Sequence, residues 1–293
     1  MYSAIKENKR NTVLIIGLFL LIFAAIGFLV GWLSDSYDMG IIVTLIGVIY
    51  AFVEYFAASR QAMTMAGGQE IQKSDNPMLW NVVENLAISQ GLPMPRVFII
   101  NDPSPNAFAT GRDPQHASVA ATTGLLDMLD KRELTGVMAH EMSHVKNYDI
   151  RLNTIVFGLC AAVGFLSDLM LRMVFSGSYD DDDNHVNPLA LLLIVVMIVF
   201  IPIAAMLIRL GISRQREYLA DSTGALMTRD PEGLASALAK LGGCDIKMKH
   251  ASSTMAHMYI NDPSKPGFMA NLFSTHPPIE DRIKRLEASG AKM

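Results

Sequence analysis

Four long apolar stretches constrain the fold of this 293-residue chain more than any other feature of its sequence. They cover 13–33, 39–59, 155–175 and 188–207. Each has about the 20 residues that a helix needs to cross a bilayer. The third contains Asp168 and Arg172, which are spaced so that they can neutralise each other on one helix face. We therefore expect an integral membrane protein with two helical hairpins, the second transmembrane or membrane-associated.

The distribution of lysine and arginine indicates the orientation of these spans. Basic residues precede the first span and follow the second and the fourth. The short loops 34–38 and 176–187 contain aspartates and neither lysine nor arginine. Arg172, near the outer end of the third stretch, is the one basic residue that does not fit this distribution. Both termini and the long middle segment are therefore expected on the cytoplasmic side.

The middle segment has the pattern of a small α+β unit. A helix is predicted at 77–90, where apolar residues recur with helical spacing. Short strands are predicted at 96–100, 106–111 and 116–122. Asp130 and Glu133 form a capping box that opens a helix through about Asn147.

This last helix carries the sequence His140-Glu141-Met142-Ser143-His144. Two histidines four residues apart lie on one helical face, so both rings can reach one metal ion. Glu141 can act as a base toward water instead of binding the metal. The alternative is the polar face of a surface helix, but apolar residues directly before the motif favour a buried helix. The motif predicts a zinc site with His140 and His144 as ligands.

A catalytic zinc also needs a third protein ligand and one open position. A metzincin would place a histidine six residues after His144, where this chain has Ile150. A thermolysin-like site instead takes a glutamate from a second helix, and Glu217 with Asp221 one turn later fits that pattern. Glu217 is expected to bind zinc and Asp221 to accept the free N–H of His140. The alternative for Glu217 is a solvated carboxylate next to the membrane.

Composition excludes other kinds of site. The net charge of −4 offers no basic surface for nucleic acid. The two cysteines, Cys160 and Cys244, lie in an apolar and a polar segment, so neither a disulfide nor a cysteine-built zinc site is expected.

The predicted fold is a mainly α integral membrane protein with a small α+β zincin-like catalytic domain. Its site is thermolysin-like (gluzincin), with the HExxH helix and a second ligand helix. The expected units are an N-terminal membrane hairpin (1–60), a cytoplasmic catalytic part (61–151), a second hairpin (152–210) and a second cytoplasmic part (211–293).

In these motifs and their order, the chain resembles the HtpX-type membrane zinc metalloproteases, which are related to the CAAX prenyl proteases. The resemblance covers nearly the whole chain and also includes three further segments. These are Asn106-Ala-Phe-Ala-Thr-Gly111, Thr123-Gly-Leu-Leu126 and Thr275-His-Pro-Pro278.

The resemblance implies roles for residues outside the metal motifs. Asn106, Ala107 and Phe108 belong to an edge strand on which an extended substrate would add as a further strand. For Asn106, an Asx turn after Pro105 is the alternative. His276 would steady the oxyanion, with Arg282 assisting.

The resemblance also implies a zinc endopeptidase, with one zinc ion per chain, in the bacterial cytoplasmic membrane. Its expected substrates are damaged or misassembled membrane proteins under stress, cleaved in cooperation with other membrane quality-control proteases. Two alternatives are a prenyl-protein protease and a zinc-binding membrane adaptor or chaperone without turnover. A zinc site that is only structural does not need Glu141, so the presence of this residue argues against the adaptor.

Overall fold

The computed structural model describes residues 2–33, 35–161, 213–246, 248, 255–261 and 277–290. The third apolar stretch beyond residue 161, the whole of the fourth, and His276 lie outside these residues. Asp168, Arg172 and the acidic loop between the two stretches lie outside them as well.

Helices make up most of the described chain, and a small sheet lies among them. The helices are α1 (Tyr2–Leu33), α2 (Tyr37–Met65), α3 (Pro77–Gln90), α4 (Thr123–Met128), α5 (Lys131–Lys146), α6 (which includes 149–161), α7 (Arg214–Thr228), α8 (Pro231–Gly242) and α9 (Ile279–Gly290). The strands are β1 (Gly68–Glu70), β2 (Arg96–Ile100), β3 (Ala107–Gly111) and β4 (Ala117–Thr122).

Helices α1 and α2 form an antiparallel pair that is apolar on its outer surface. Within them, Ile5–Leu29 and Gly40–Met65 are long and apolar enough to cross a membrane. Large side chains such as Phe28, Ile46 and Phe52 are exposed on this pair. In water such a surface would be costly, whereas in a bilayer it faces lipid.

The sheet has the strand order β1-β2-β4-β3, so β3 is its last strand. Strands β2 and β4 are parallel, and the two outer pairs are antiparallel. Since side chains alternate along a strand, the sheet buries both faces. Val97 and Val119 pack with α3 and α5 on one face. Phe98 and Phe108 pack on the other against the end of α2 and against Met248, Met255, Met258 and Tyr259.

The structure confirms the element predictions for the middle segment. Helix α3 has the predicted bounds, and Leu79, Val82 and Leu86 are buried as its periodicity indicates. The capping box of α5 is present, because Asp130 and Glu133 each accept from the other's backbone N–H. Strand β1 was not predicted, since three residues are too few for a periodic pattern. Cys160 and Cys244 do not form a disulfide, as expected.

Candidate metal centre

Helix α5 carries the HExxH motif through the middle of the protein. The side chains of His140 and His144 are 1% and 10% exposed, and Glu141 is buried beside them. Apolar residues on the same helix, including Val137 and Met138, pack into the main core. The motif therefore lies on a buried helix, and its histidines need polar partners.

Helix α7 brings Glu217 to these histidines. The Nε2 atoms of His140 and His144 lie 3.2 Å apart. The carboxylate oxygens of Glu217 lie 3.6 Å from Nε2 of His140 and 3.7 Å from Nε2 of His144. One ligand atom from each residue falls within 4.8 Å of the others, so the three form a group that could hold a metal ion.

The chemistry of this donor set fits zinc. Each histidine has its Nδ1 beside a carboxylate, and when Nδ1 carries the proton, Nε2 presents a lone pair. Two imidazole nitrogens that face each other at 3.2 Å share either a proton or a metal cation. Two nitrogens on one tetrahedral zinc would lie about 3.3 Å apart, since Zn–N distances are about 2.0–2.1 Å.

Asp221 is the carboxylate that holds His140. Its Oδ1 lies 3.0 Å from Nδ1 of His140, and Arg282 from α9 donates two hydrogen bonds to the same carboxylate. Burial favours the neutral acid, but Arg282 and His140 outweigh it and lower the pKa of Asp221 to about 2. For His140, burial favours the neutral ring, yet hydrogen bonds with Asp221 and Glu217 raise its pKa to about 9.

Asp149, at the start of α6, is the corresponding carboxylate for His144. Its Oδ2 lies 3.0 Å from Nδ1 of His144, and Asp149 is 1% exposed. Asp149 was not predicted from the sequence, because its position five residues after His144 brings it to that histidine only when the chain turns between α5 and α6.

Glu141 lines the same cavity as His140, His144 and Glu217. Its carboxylate is therefore exposed to the charges of these three residues. Burial is the largest influence and raises the pKa of Glu141, while the two imidazoles act in the opposite direction. A carboxylate with a raised pKa is a stronger base toward water than an exposed glutamate.

The cavity is small, with room for about one water molecule. Its lining consists of Ala109, His140, Glu141, His144, Asn153, Glu217, His257, Met258, Tyr259 and Ile260. Residues 257–260 thus face the metal-site group across the cavity. A peptide has no room to enter while this segment stays in place.

The same segment occupies the outer edge of β3. The N–H of Ile260 donates to the carbonyl of Ala107 at 3.0 Å. Hydrogen-bonding groups alternate along an antiparallel strand, and Thr122 pairs with the carbonyl of Asn106 on the β4 side. Ala107 and Ala109 therefore direct their N–H and C=O groups away from β4, toward the segment and the cavity.

The side chain of Asn106 clamps the backbone of Asn261. Its Nδ2 donates to the carbonyl of Asn261 at 2.8 Å, and its Oδ1 accepts from the N–H of Asn261 at 3.2 Å. Oδ1 also accepts from the N–H of Ala107 at 3.1 Å. The amide of Asn106 is thus arranged to bind a backbone N–H and C=O, and in this structure it binds the protein's own.

The structure brings the predicted ligand residues together with Glu141 and Asp221. Phe108 turns to the other face of the sheet, where its ring packs edge-on against Tyr259 at 5.1 Å between centroids. Arg282 lies behind His140, on Asp221. Besides Asp149, the structure adds Asn153 and His257 to the lining, and no spacing in the sequence relates them to the motif.

Comparison with known proteins gives concordant results. A sequence model of peptidase family M48 matches residues 73–289. The chain is 54% identical to the protease HtpX homolog of Tropheryma whipplei (strain TW08/27), over 99% of both proteins. It is 46% identical to the protease HtpX homolog of Lactobacillus acidophilus, over 98% of this chain and 99% of the relative.

The fold is also similar to a solved structure. The crystal structure of S. mikatae Ste24p matches with a TM-score of 0.50 and 16% sequence identity, over 98% of this chain and 67% of that chain. At this identity the match concerns the fold alone.

Proposed function

The chain belongs to peptidase family M48, and we propose that it hydrolyses peptide bonds with one zinc ion held by His140, His144 and Glu217. As a member of this family with HtpX relatives and two helices able to span a bilayer, it is a membrane zinc metalloprotease. The observation that carries the ligand assignment is the convergence of the two Nε2 atoms, 3.2 Å apart, with the carboxylate of Glu217. This set, with a glutamate from a second helix, is thermolysin-like.

When bound, zinc supplies a Lewis acid that polarises the scissile carbonyl and lowers the pKa of water toward about 7. The carboxylate of Glu141 accepts a proton from the water that attacks the carbonyl carbon. It then delivers the proton to the amine nitrogen as the C–N bond breaks. Its burial beside the ligands supports this role, because the raised pKa suits a group that both takes and returns a proton.

Asp221 keeps His140 in the tautomer that leaves Nε2 free for the metal. Its low pKa supports this role, because the carboxylate remains ionised across the physiological range. Arg282 acts through Asp221 by fixing its carboxylate with two hydrogen bonds. Assistance to the oxyanion by His276, with Arg282, stays a prediction from the family resemblance.

The substrate binds as an extended strand along Asn106, Ala107 and Phe108 and on to Ala109. The outward carbonyl of Ala107 and the side chain of Asn106 already bind backbone groups, those of residues 260–261. A substrate strand would take over these hydrogen bonds after displacing that segment, as in other cases of strand addition at a sheet edge.

The enzyme works in the bacterial cytoplasmic membrane as a multi-pass protein, with the active site and both termini in the cytoplasm. The lysine and arginine distribution supports this orientation. Its partners are the lipid bilayer and polypeptide substrates, chiefly damaged membrane proteins under stress, and it acts beside other quality-control proteases. It has no nucleic-acid partner.

Single cysteines test the orientation after Cys160 and Cys244 have been replaced by serine. In intact cells, a membrane-impermeant thiol reagent should label Ser36→Cys and leave Ser222→Cys unlabelled until the membrane is opened. Labelling of Ser222→Cys in intact cells would place the ligand helix outside and overturn the cytoplasmic assignment.

The activity is tested with full-length protein purified in detergent. With zinc it should cleave casein or itself; a chelator should stop cleavage, and added zinc should restore it. Zinc binding without any cleavage would support the adaptor function instead. Cleavage confined to prenylated C-terminal peptides would support the prenyl-protein protease.

A further inference from the structure

The first membrane helix reaches the metal-site group through Asn8. The side-chain Nδ2 of Asn8 donates to Oδ1 of Asp149 at 2.5 Å and to the carbonyl of Asn147 at 3.0 Å. The other oxygen of Asp149 lies 3.0 Å from Nδ1 of His144. Asn8 and Asp149 are 2% and 1% exposed, so the chain of contacts is shielded from water. Helix α1 is therefore linked to His144 through one intervening side chain.

The turn between α5 and α6 aims Asp149 at His144. Asn147 ends α5, and Tyr148 has a φ of 62°, a left-handed conformation that non-glycine residues rarely adopt. This turn places Asp149 with its carboxylate against His144 of the HExxH helix. Such a conformation persists only where neighbouring contacts hold it.

Helix α1 supplies one of the contacts that hold this turn. The ammonium group of Lys9 lies 4.4 Å from the centroid of the Tyr148 ring, and the guanidinium of Arg151 lies 5.1 Å from it. Asn8 and Lys9 thus bind adjacent residues of the same turn. One turn along α1, Thr12 is buried too, and its hydroxyl donates to the carbonyl of Asn8 at 2.8 Å.

The two histidines have matching arrangements behind their metal-facing nitrogens. Asp221 lies on Nδ1 of His140 and is fixed by Arg282, whereas Asp149 lies on Nδ1 of His144 and is fixed by Asn8. Carboxylates in this position set the tautomer and ring orientation of a metal-binding histidine. A carboxylate that is itself fixed by a buried hydrogen-bond donor restricts the orientation of the histidine ring more tightly.

We propose that Asp149 and Asn8 are positioning residues for zinc binding, with Asp149 orienting His144 and Asn8 orienting Asp149. The inference rests on the proposed function, in which His144 is a ligand. It makes the N-terminal membrane helix part of the support of the metal site as well as an anchor. The competing account is that Asn8 only docks α1 onto the turn.

Zinc affinity of the full-length protein in detergent, measured by competition with a chromophoric chelator, separates these accounts. Asp149→Ala should weaken zinc binding by about 10–100-fold, as loss of such a carboxylate does elsewhere. Asn8→Ala should weaken it less, by about 3–10-fold, because Asp149 remains but is less well held. Thr12→Val serves as the matched control and should leave zinc affinity unchanged.

The double variant distinguishes positioning from docking. If Asn8 acts through Asp149, Asn8→Ala combined with Asp149→Ala binds zinc no more weakly than Asp149→Ala alone. If the fold-losses in zinc affinity of the two single variants multiply in the double variant, the two residues act independently and the proposal is overturned. Wild-type affinity in Asn8→Ala would overturn it as well.

A spectroscopic readout reports on the ligand geometry directly. The visible spectrum of the Co²⁺-loaded protein depends on the coordination geometry. It should change in Asp149→Ala and remain that of the wild type in Thr12→Val. If Asp149→Ala does not fold, the isosteric Asp149→Asn carries the test: weakened zinc binding supports the proposal and wild-type affinity overturns it.

His144→Ala distinguishes failure of this inference from failure of the proposed function. If His144→Ala binds zinc like the wild type, the ligand set itself is wrong. If His144→Ala loses zinc while the Asn8 and Asp149 variants retain wild-type affinity, only the positioning inference is wrong.

Discussion

Arg282 donates two hydrogen bonds to Asp221, from Nε to Oδ2 at 2.9 Å and from Nη2 to Oδ1 at 2.6 Å. Arg282 is fully buried, and Asp221 is 3% exposed. The pair joins α9 to α7 directly behind His140, which is the first residue of the metal-binding motif. A contact that resembles a core ion pair therefore also fixes a carboxylate on which the proposed ligand depends.

Arg282→Ala should weaken zinc binding and destabilise the protein together. It leaves the carboxylate of Asp221 buried without its partner, which typically costs about 3–5 kcal/mol. The carboxylate of Asp221 remains behind His140 but is less well held, so zinc affinity should fall by about 3–10-fold. Denaturation of the metal-free protein and a zinc titration measure the two effects.

A double variant separates stability from metal binding. Asp221→Asn with Arg282→Met removes both charges at similar volume, so stability should largely return. Zinc affinity should stay low, because His140 no longer has a carboxylate at Nδ1. Recovery of both properties in the double variant would mean that the pair matters only for packing.

Gly224 lets the two ligand helices approach each other. A Cβ at this position would lie 3.0 Å from the backbone nitrogen of His140. Gly224→Ala should therefore push α7 from α5, cost about 1–3 kcal/mol of stability, and weaken zinc binding because Glu217 is carried on α7. Gly17→Ala is the matched control, since a Cβ at Gly17 meets nothing within 4 Å. Equal zinc affinity in the two variants would contradict the close-approach account.

Ile260→Pro should raise the kcat/KM for a protein substrate. It removes the N–H that donates to Ala107, and the extended conformation of Tyr259, with φ −83° and ψ 144°, accommodates a following proline. The substrate then displaces a segment that is held by one hydrogen bond fewer. This corresponds to a gain in kcat/KM of about 2–10-fold. Ile260→Val keeps the N–H and should behave like the wild type. An unchanged or lower kcat/KM in a zinc-replete Ile260→Pro sample would argue against competition at this edge.

Local sequence patterns were sufficient to predict much of the middle of the protein. The capping box at Asp130, the periodic apolar residues of α3 and the short apolar strands each depend on neighbours within a few residues. The histidine spacing in α5 is also local, and so is the spacing of Glu217 and Asp221 in α7. These are the features that the structure has at the predicted positions.

The contacts that the sequence did not predict join residues that are far apart in the chain. Asn8 meets Asp149 only because α1 packs beside the α5–α6 turn, and His257 meets the cavity only because its segment crosses the end of β3. Neither contact has a characteristic spacing. Arg282 was singled out by family resemblance, but its bond to Asp221 required the packing of α9 on α7.

The roles proposed for Glu141 and for the ligands are tested together by bound zinc and proteolysis measured on the same preparation. Because Glu141 is proposed as the base and not as a ligand, Glu141→Gln should retain about one zinc per chain and lose nearly all cleavage of casein. His140→Ala and Glu217→Ala should lose zinc and cleavage together. If Glu141→Gln loses as much zinc as His140→Ala, or retains zinc and cleaves like the wild type, the proposed division between ligands and base is wrong.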